Sequence, residues 1–418
     1  MRKSRVFAAG PGDQNMVVED VSIEVETSRG KNPVTSEVMV FSVRPKASQA
    51  SRCPQCQKRC PGYDAGGRDG DSTRRWRTLD MGTTKACLQA SAPRAQCREH
   101  GAVVAHVPWA RPGARHTWVF EDTCAWLAAH TALSVLTMFL RITWRTVAAI
   151  AARAIADGLA ANDLLAGLTR IGIDEISYRK GQRYLTVIVD HTTGRLVRAK
   201  EGRNQDTLGK FFDELGAGRA ALLTHVSCDG AEWIHAAVRQ HAPAAVICLD
   251  PFHVVAWALK ALDKVRVRTM TKAGIRDRHA MWAARKNPDG LTGEQRSSLA
   301  EIAVTNQTLY RSYLLKEQLR EVFRIKGRKG RQLLAGWLSW ASRSRIPEFV
   351  TLARSIRRCR DLIRNTLDHG LSNARSEAAN THLRALTKRS YGFRSPDALI
   401  AMALLTRGDL CPPLPGRK

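Results

Sequence analysis

Two runs of aliphatic and β-branched residues lie either side of a glycine turn: Ile171-Gly-Ile-Asp-Glu-Ile176, then Tyr184-Leu-Thr-Val-Ile-Val-Asp190 beyond Gly181. Runs of this length and composition read as paired strands. Asp174 sits at the C-terminal end of the first. Arg195–Ala199 reads as a third strand, joined to the second by His191-Thr-Thr-Gly194. Asp206–Leu215 follows as a helix, Leu222–Cys228 as a fourth strand ending in Asp229, Ala231–His241 as a helix and Ala245–Leu249 as a fifth strand.

Three antiparallel strands, a helix, then alternating strand and helix is the element order of a ribonuclease H-like α/β fold. Residues 252–365 carry helical patterns throughout and no strand candidate, so they read as an all-helical insertion. They are basic, and Arg324-Ile-Lys-Gly-Arg-Lys-Gly-Arg331 is expected to form a glycine-bearing loop that lays Arg328 and Lys329 along phosphates. Phe349–Leu367 is expected to be one helix, with Arg357 and Arg358 among its arginines. Core packing is the favoured reading for Trp282, Trp337 and Trp340, over stacking on an unpaired base.

Glu377 lies on the helical segment after the insertion. Acids from separate elements, delivered to one place, are the natural hard ligands for two Mg²⁺ (or Mn²⁺) ions about 3.5–4 Å apart. On this reading Asp174 bridges both ions, Asp229 holds one and Glu377 the other. Glu175 alternates to the opposite strand face, as a surface or supporting group. Asp190 precedes a turn and serves turn chemistry. Asp250, with His253 three residues on, gives either local structure or support to the acids from behind.

Lys and Arg number 66 against 38 Asp and Glu, a formal charge of +28. That surplus points to a polyanion, nucleic acid before a membrane surface. No apolar run reaches the ~18 residues that span a bilayer, and the N-terminal apolar stretch is too short for a signal peptide. The expected setting is cytoplasmic. Five of the ten cysteines fall between Cys53 and Cys97, which fits a metal site in a reducing compartment better than disulfides. Cys53-Pro-Gln-Cys56 and Cys97-Arg-Glu-His100 have the knuckle spacing for one structural, tetrahedral Zn²⁺, with Cys60 and Cys87 as possible substitutes. A loop of Gly, Asp and Arg and a strand at Thr84–Ala90 are expected between the knuckles. Val17–Glu26 and Glu37–Lys46 look like a preceding hairpin.

Helical periodicity begins near residue 116. Phe120–His130, Ala132–Leu140 and Trp144–Gly158 have helix-turn-helix spacing, with Thr143 as N-cap. A plain three-helix unit is the competing reading. If the last helix reads DNA, Trp144 and Arg145 face the groove while Val147, Ile150 and Ala151 face the core.

These residues, taken together, resemble one family. Gly172-Ile-Asp174-Glu175, Arg179-Lys-Gly181, Tyr184–Asp190, Gly202-Arg203, Asp229 with Ala231-Glu232-Trp233, and Asp250-Pro-Phe-His253 are similar to the catalytic domain of the ISL-three family of insertion-sequence transposases. So are Arg375-Ser-Glu377-Ala-Ala-Asn380 and Leu386-Thr-Lys388-Arg389-Ser-Tyr391-Gly392-Phe393. Many members have Asn-Gly before the last acid and Gly after it, where this chain has Ala374-Arg375-Ser376 and Ala378. His100 stands where some zinc sites use a fourth cysteine.

The resemblance, over residues 16–405, implies a DDE transposase: a multidomain α+β and α/β chain with zinc-binding β module, helix-turn-helix and interrupted ribonuclease H-like core. It implies the catalytic triad Asp174, Asp229 and Glu377, with Asp250 and His253 as the Asp-x-x-His signature. The partner implied is double-stranded DNA, both terminal inverted repeats and target, with Lys388 and Arg389 among the contacts. A dimer or larger assembly on DNA and a bacterial, nucleoid-associated setting follow. The expected domains are a disordered leader (1–15), hairpin plus zinc module (16–110), helix-turn-helix (111–166), core (167–251), insertion (252–366), the returning core helix (367–405) and a tail (406–418). The rival is a catalytically silent, zinc-containing DNA-binding regulator derived from such a transposase.

Overall fold

The computed structural model describes residues 15–27, 33, 35–66, 71–179, 181–272 and 278–417. The expected leader and hairpin turn fall outside these, apart from Asn15 and Pro33. The chain forms two compact units, residues 1–162 with 409–418, and residues 163–408.

In the first unit β1 (Met16–Thr27) and β2 (Thr35–Pro45) pair antiparallel, as their valine alternation demands. The stretch between the knuckles is not the simple loop expected. It holds β3 (Gly62–Asp64) and β4 (Thr73–Met81) ahead of β5 (Thr84–Ser91). Arginines obscure the period-2 pattern of β4: Trp76 and Thr78 are buried, while Arg75 is neutralised by Glu24 at 2.6 Å and Glu26 at 2.9 Å. The four-stranded sheet runs β1-β2-β5-β4, and a small sheet runs β3-β6-β7, with β6 at Arg94–Cys97 and β7 at Gly101–Val104. Each has its own core, one around Phe41, Trp76, Leu88 and Trp109, the other around Cys53, Cys60, Ala95 and Cys97.

Three helices follow, α1 (Trp118–His130), α2 (Leu133–Leu140) and α3 (Trp144–Ala161). Arg141 takes a left-handed conformation to end α2, and Thr143 Oγ1 accepts the Thr146 amide at 3.3 Å to start α3. The axes of α2 and α3 differ by 101°, within the helix-turn-helix range. Val147, Ile150 and Ala151 are buried as expected, and Trp144 and Arg145 are exposed. No single helix among the described residues is long and apolar enough to cross a membrane.

The second unit is built on a sheet ordered β10-β9-β8-β11-β12. β8 (Arg170–Arg179), β9 (Arg183–Asp190) and β10 (Leu196–Glu201) are antiparallel; β11 (His225–Cys228) and β12 (Val246–Leu249) continue parallel to β8. The fourth strand therefore starts at His225, not Leu222, whose side chain is exposed. Helices α4 (Gln205–Leu215), α5 (Ala217–Ala220) and α6 (Glu232–His241) lie along this half.

From Pro251 to His369 the described elements are all helical: α7 (Pro251–Lys272), α8 (Arg278–Arg285), a 3-10 turn (Pro288–Gly290), α9 (Gly293–Thr305), α10 (Gln307–Ile325), α11 (Gly327–Arg343), α12 (Pro347–Arg358) and α13 (Arg360–His369). Two expectations need correction here. Arg328 and Lys329 are not on a loop but in the first turn of α11; the break is one residue, Lys326, at φ 57°. Gly330 is there for contact rather than flexibility, since a Cβ would meet the Val322 carbonyl at 3.0 Å and Leu367 at 3.3 Å. The expected single helix over 349–367 is broken at Cys359, between α12 and α13.

Trp337 is buried and donates Nε1–H to the Leu315 carbonyl, and Trp340 packs on the same core. Trp282 is exposed, against the core reading. Buried Lys316 donates to the carbonyls of Ala284 at 3.0 Å and Lys286 at 3.1 Å, closing the end of α8. α14 (Ala374–Arg389) then packs on β8 and β9, and α15 (Pro396–Arg407) on β10.

Candidate active site and metal centre

Register brings the acids together. β11 pairs with β8 through Ser227 opposite Gly172, and with β12 through Cys228 opposite Leu249. Two residues beyond the first pair stand Asp174 and Asp229; one residue beyond the second stand Asp229 and Asp250. Three carboxylates thus lie in one row across adjacent parallel strands: Asp229 and Asp250 follow the last residues of β11 and β12, while Asp174, expected at the end of its strand, sits midway along β8, which runs on past the shorter β11 to Arg179.

Asp174 is buried. Its Oδ1 accepts the Glu175 amide at 2.8 Å and its Oδ2 accepts Asn380 Nδ2 at 2.9 Å. Burial, with Asp229 and Asp250 nearby, pushes its carboxyl up to about 6, against the pull of the Glu175 amide and His253. Asp229 is half-buried and accepts the Ala231 amide at 3.0 Å. Asp250 turns one oxygen to His253 Nδ1 at 3.0 Å and the other to the Asn373 amide at 3.2 Å. That hydrogen bond raises the His253 pKa, burial opposing it, with Asp229 and Asp174 adding to the rise.

Glu377 lies in the first turn of α14 and is exposed. The residue of that helix that touches Asp174 is Asn380, and the residue tying its start to the strands is Asn373. Asn373 Nδ2 donates to the Ile173 carbonyl at 3.3 Å, while its Oδ1 accepts from Ser227 Oγ at 2.8 Å, which in turn meets His191 Nε2 at 2.6 Å. Sequence reasoning gave no role to Asn380 or His191, though it placed them in a motif and a turn, and did not single out Asn373 or Ser227. Gly172, a glycine inside a strand, was the available signal of close approach. A Cβ there would lie 2.2 Å from Ser376 Oγ and 2.8 Å from Asn373 Oδ1. Gly172→Ala is therefore expected to push α14 off the sheet, destabilising the unit by about 3 kcal/mol in urea unfolding.

His191 is held neutral: burial, then Arg375, depresses its pKa to about 4. Its stabilising contribution is complete above the unfolded value of 6.5 and is lost as pH falls towards 4. The wild type should lose about 2–3 kcal/mol more than His191→Gln between pH 7 and 4 in urea titrations.

Glu175 does face the other way, but not to open solvent. It pairs with Arg203 at 2.5 Å, and burial followed by Asp229 pushes it up to about 7. Arg203 lies over the Tyr184 ring at 4.9 Å. Asp190 is turn chemistry, as expected, accepting the Thr192 amide at 2.8 Å and the Thr193 hydroxyl at 2.7 Å.

In the first unit Cys53, Cys56, Cys97 and His100 bring their donor atoms within 4.8 Å of one another, the one such group of three or more among the described residues. Cys97 ends β6 opposite Gly101, so His100 occupies the hairpin turn. Cys56 Sγ and Cys97 Sγ are 3.6 Å apart, and His100 Nδ1 lies 3.5 Å from Cys97 Sγ and 3.6 Å from Cys53 Sγ. A tetrahedral Zn²⁺ with its usual bond lengths requires about 3.8 Å between sulfurs and about 3.5 Å between sulfur and nitrogen. Cys60 lies beside the quartet, bonded to the Lys58 carbonyl, and Cys87 is in β5; neither joins it.

Of the candidate DNA contacts, Trp144, Arg145, Arg328, Lys329, Arg357, Arg358 and Lys388 are exposed. Arg357 also reaches Ser342 Oγ, and Arg358 reaches Ser355 Oγ. Arg389 is half-buried.

Three family profiles match the chain. One described as transposase (the DDE domain of ISL3) covers residues 171–403, the helix-turn-helix domain of transposase family ISL3 covers 105–155, and the zinc-finger of transposase IS204/IS1001/IS1096/IS1165 covers 49–100. The transposase for insertion sequence element IS1557, from two strains of Mycobacterium tuberculosis, is 46% identical over 100% of this chain and 98% of its own length. The transposase for insertion sequence element IS1001 of Bordetella parapertussis is 26% identical over 82% of this chain and 86% of its own. A zinc finger, a DNA-binding helix-turn-helix and a transposase domain thus follow one another in a single polypeptide, and the chain belongs to the ISL3 family of transposases.

Proposed function

We propose that this transposase binds the terminal inverted repeats of its own element and cuts and rejoins DNA at Asp174, Asp229 and Glu377. The observation that carries the reading is the row of Asp174 on β8 with Asp229 and Asp250 at the ends of β11 and β12. Sheet order, with three antiparallel strands followed by two parallel ones, supports a ribonuclease H-like core spanning 167–251 and 367–405, interrupted by the insertion at 252–366. The other proposed domains are 16–110, 111–166 and the tail at 406–418.

The residues fit a pair of divalent ions, Mg²⁺ or Mn²⁺. Asp174 is buried among like charges, its acidity already weakened, and the buried Oδ1 of Asn380 has no hydrogen-bond partner among the described residues. Ions bound there would make the attacking oxygen nucleophilic and stabilise the leaving one. The chain's part is positional. Asn380 and the Glu175 amide orient Asp174, the Ala231 amide orients Asp229, and Asp250 joins His253 to the start of α14. The hydrogen bond to Asp250 favours the charged form of His253, which would offset part of the negative field.

Cys53, Cys56, Cys97 and His100 would hold one structural zinc, leaving no open position for catalysis. Trp144 and Arg145 would read base edges from the start of α3. Arg328, Lys329, Arg357, Arg358, Lys388 and Arg389 would hold phosphates, giving affinity that falls steeply with salt. Acting on two ends at once implies a dimer or larger assembly on chromosomal DNA in the cytoplasm.

The test compares supercoiled plasmids with the element's ends intact or scrambled, incubated with protein and Mg²⁺ or Mn²⁺. Cleavage and joining confined to intact ends is expected. Equal cleavage of both plasmids would identify a stand-alone nuclease, and binding of the ends without cleavage a silent regulator.

A further inference from the structure

Asn380 does more at this site than its neighbours require. It is 3% exposed, and Nδ2 donates to Asp174 Oδ2 at 2.9 Å. The other end of the same amide, Oδ1, is buried and has no hydrogen-bond partner among the described residues. Leaving such an acceptor bare costs about 1–3 kcal/mol, and it occurs beside the carboxylate already destabilised by Asp229 and Asp250.

A carboxamide oxygen is a hard, neutral donor of the type that Mg²⁺ and its relatives accept. Asn380 also stands three residues after Glu377 on α14. Residues at that spacing share a helix face, and an i, i+3 pair is how one helix supplies two ligands to a metal in bundle proteins. A fourth carboxylate would deepen the repulsion that Asp174 already suffers; an amide adds an oxygen without charge.

We propose that Asn380 is a further protein ligand of the active-site divalent cation, through Oδ1, while Nδ2 holds the Asp174 carboxylate in place. This rests on the reading that Asp174 and Glu377 bind that cation.

The test is cation affinity in full-length, zinc-loaded protein, measured by calorimetry with Mn²⁺ and Cd²⁺. Asp174→Ala serves as blank for the zinc quartet and the free thiols. Asn380→Leu should weaken Mn²⁺ binding about tenfold or more. Asn380→Cys, which offers a soft sulfur at the same place, should raise the Cd²⁺ to Mn²⁺ affinity ratio about tenfold or more over wild type.

An Asn380→Leu protein that binds Mn²⁺ within twofold of wild type overturns the proposal, as does an unchanged metal preference in Asn380→Cys. Should the leucine variant not fold, the cysteine variant, closer in size to asparagine, decides alone. Failure of the underlying reading looks different: Asp174→Ala would then bind Mn²⁺ as well as the wild type does.

Discussion

Asp174→Asn is expected to stop strand cleavage while making the folded protein more stable. The variant keeps the shape of the side chain and can still accept the Glu175 amide, its new NH2 donating to Asn380 Oδ1 once that amide turns over, but loses the charge that would hold both cations. Losing about 4 kcal/mol of transition-state stabilisation corresponds to about a thousandfold in rate. End binding should be unchanged, because the helix-turn-helix belongs to the other unit. The stability gain has a definite sign. The carboxyl is raised from 3.8 to about 6 in the fold, so its charged form is penalised above pH 6 by about 3 kcal/mol. The penalty fades as pH falls, and is gone below 3.8. Thermal melts at pH 7.5 without added divalent cation should therefore show a higher Tm for Asp174→Asn, and no difference near pH 3.5. Cleavage at the wild-type rate would remove Asp174 from the chemistry, whatever the melts show.

Why Asp174 was legible, and Asn380 was not, follows from what each signal depends on. That β8 runs on past Asp174 to Arg179 was not visible, but an acid set among apolar strand residues is visible in one dimension, because burial of its neighbours makes its charge conspicuous. The same holds for Asp229 and for the two knuckles, whose spacing is itself the chemistry. Thr143 could be identified as a cap because capping is local. Asn380, Asn373 and Ser227 are ordinary polar residues until segments 146 to 206 positions apart are laid together, so no window of sequence shows their role. The mistaken loop at 324–331 has a different cause. Two glycines looked like flexibility, yet Gly330 is demanded by contact with Val322 and Leu367 on other helices. β4 was hidden by its arginines, of which Arg75 finds its partners on β1, again a tertiary matter.

Removing zinc, or replacing Cys97 by alanine, is expected to unfold β3, β6 and β7 and to leave the 163–408 unit intact. The core of that small sheet among the described residues is little more than Cys53, Cys60, Cys97 and Ala95, far too little to stand without metal. Structural zinc contributes about 10–16 kcal/mol to such modules. Hydrogen exchange should show protection lost over residues 94–104 and retained over 171–189. The neighbouring sheet, with Phe41, Trp76 and Leu88 in its own core, should persist. Specific binding to the element's ends should drop towards the nonspecific level. Wild-type protein should contain close to one equivalent of zinc; less than about half an equivalent, or full protection of 94–104 after chelation, would remove the quartet from its assigned role.

The helical insertion leaves β12 and comes back to it. Asn365 Nδ2 donates to the Ile247 carbonyl at 2.9 Å and Thr366 Oγ1 to the Leu249 carbonyl at 2.7 Å, next to the Asp250 that begins the excursion and then receives the Asn373 amide. The residues between these points are thus anchored at both ends on one strand, with Trp257 also lying against Gly230, and their far end can lengthen, shorten or carry cargo without tugging on the acids. Loop-closure entropy grows only slowly with length, so such growth costs the host little. The Pro288–Gly290 turn, remote in sequence from both attachment points, is accordingly the natural port for grafting a fluorescent reporter or a targeting domain onto a working transposase.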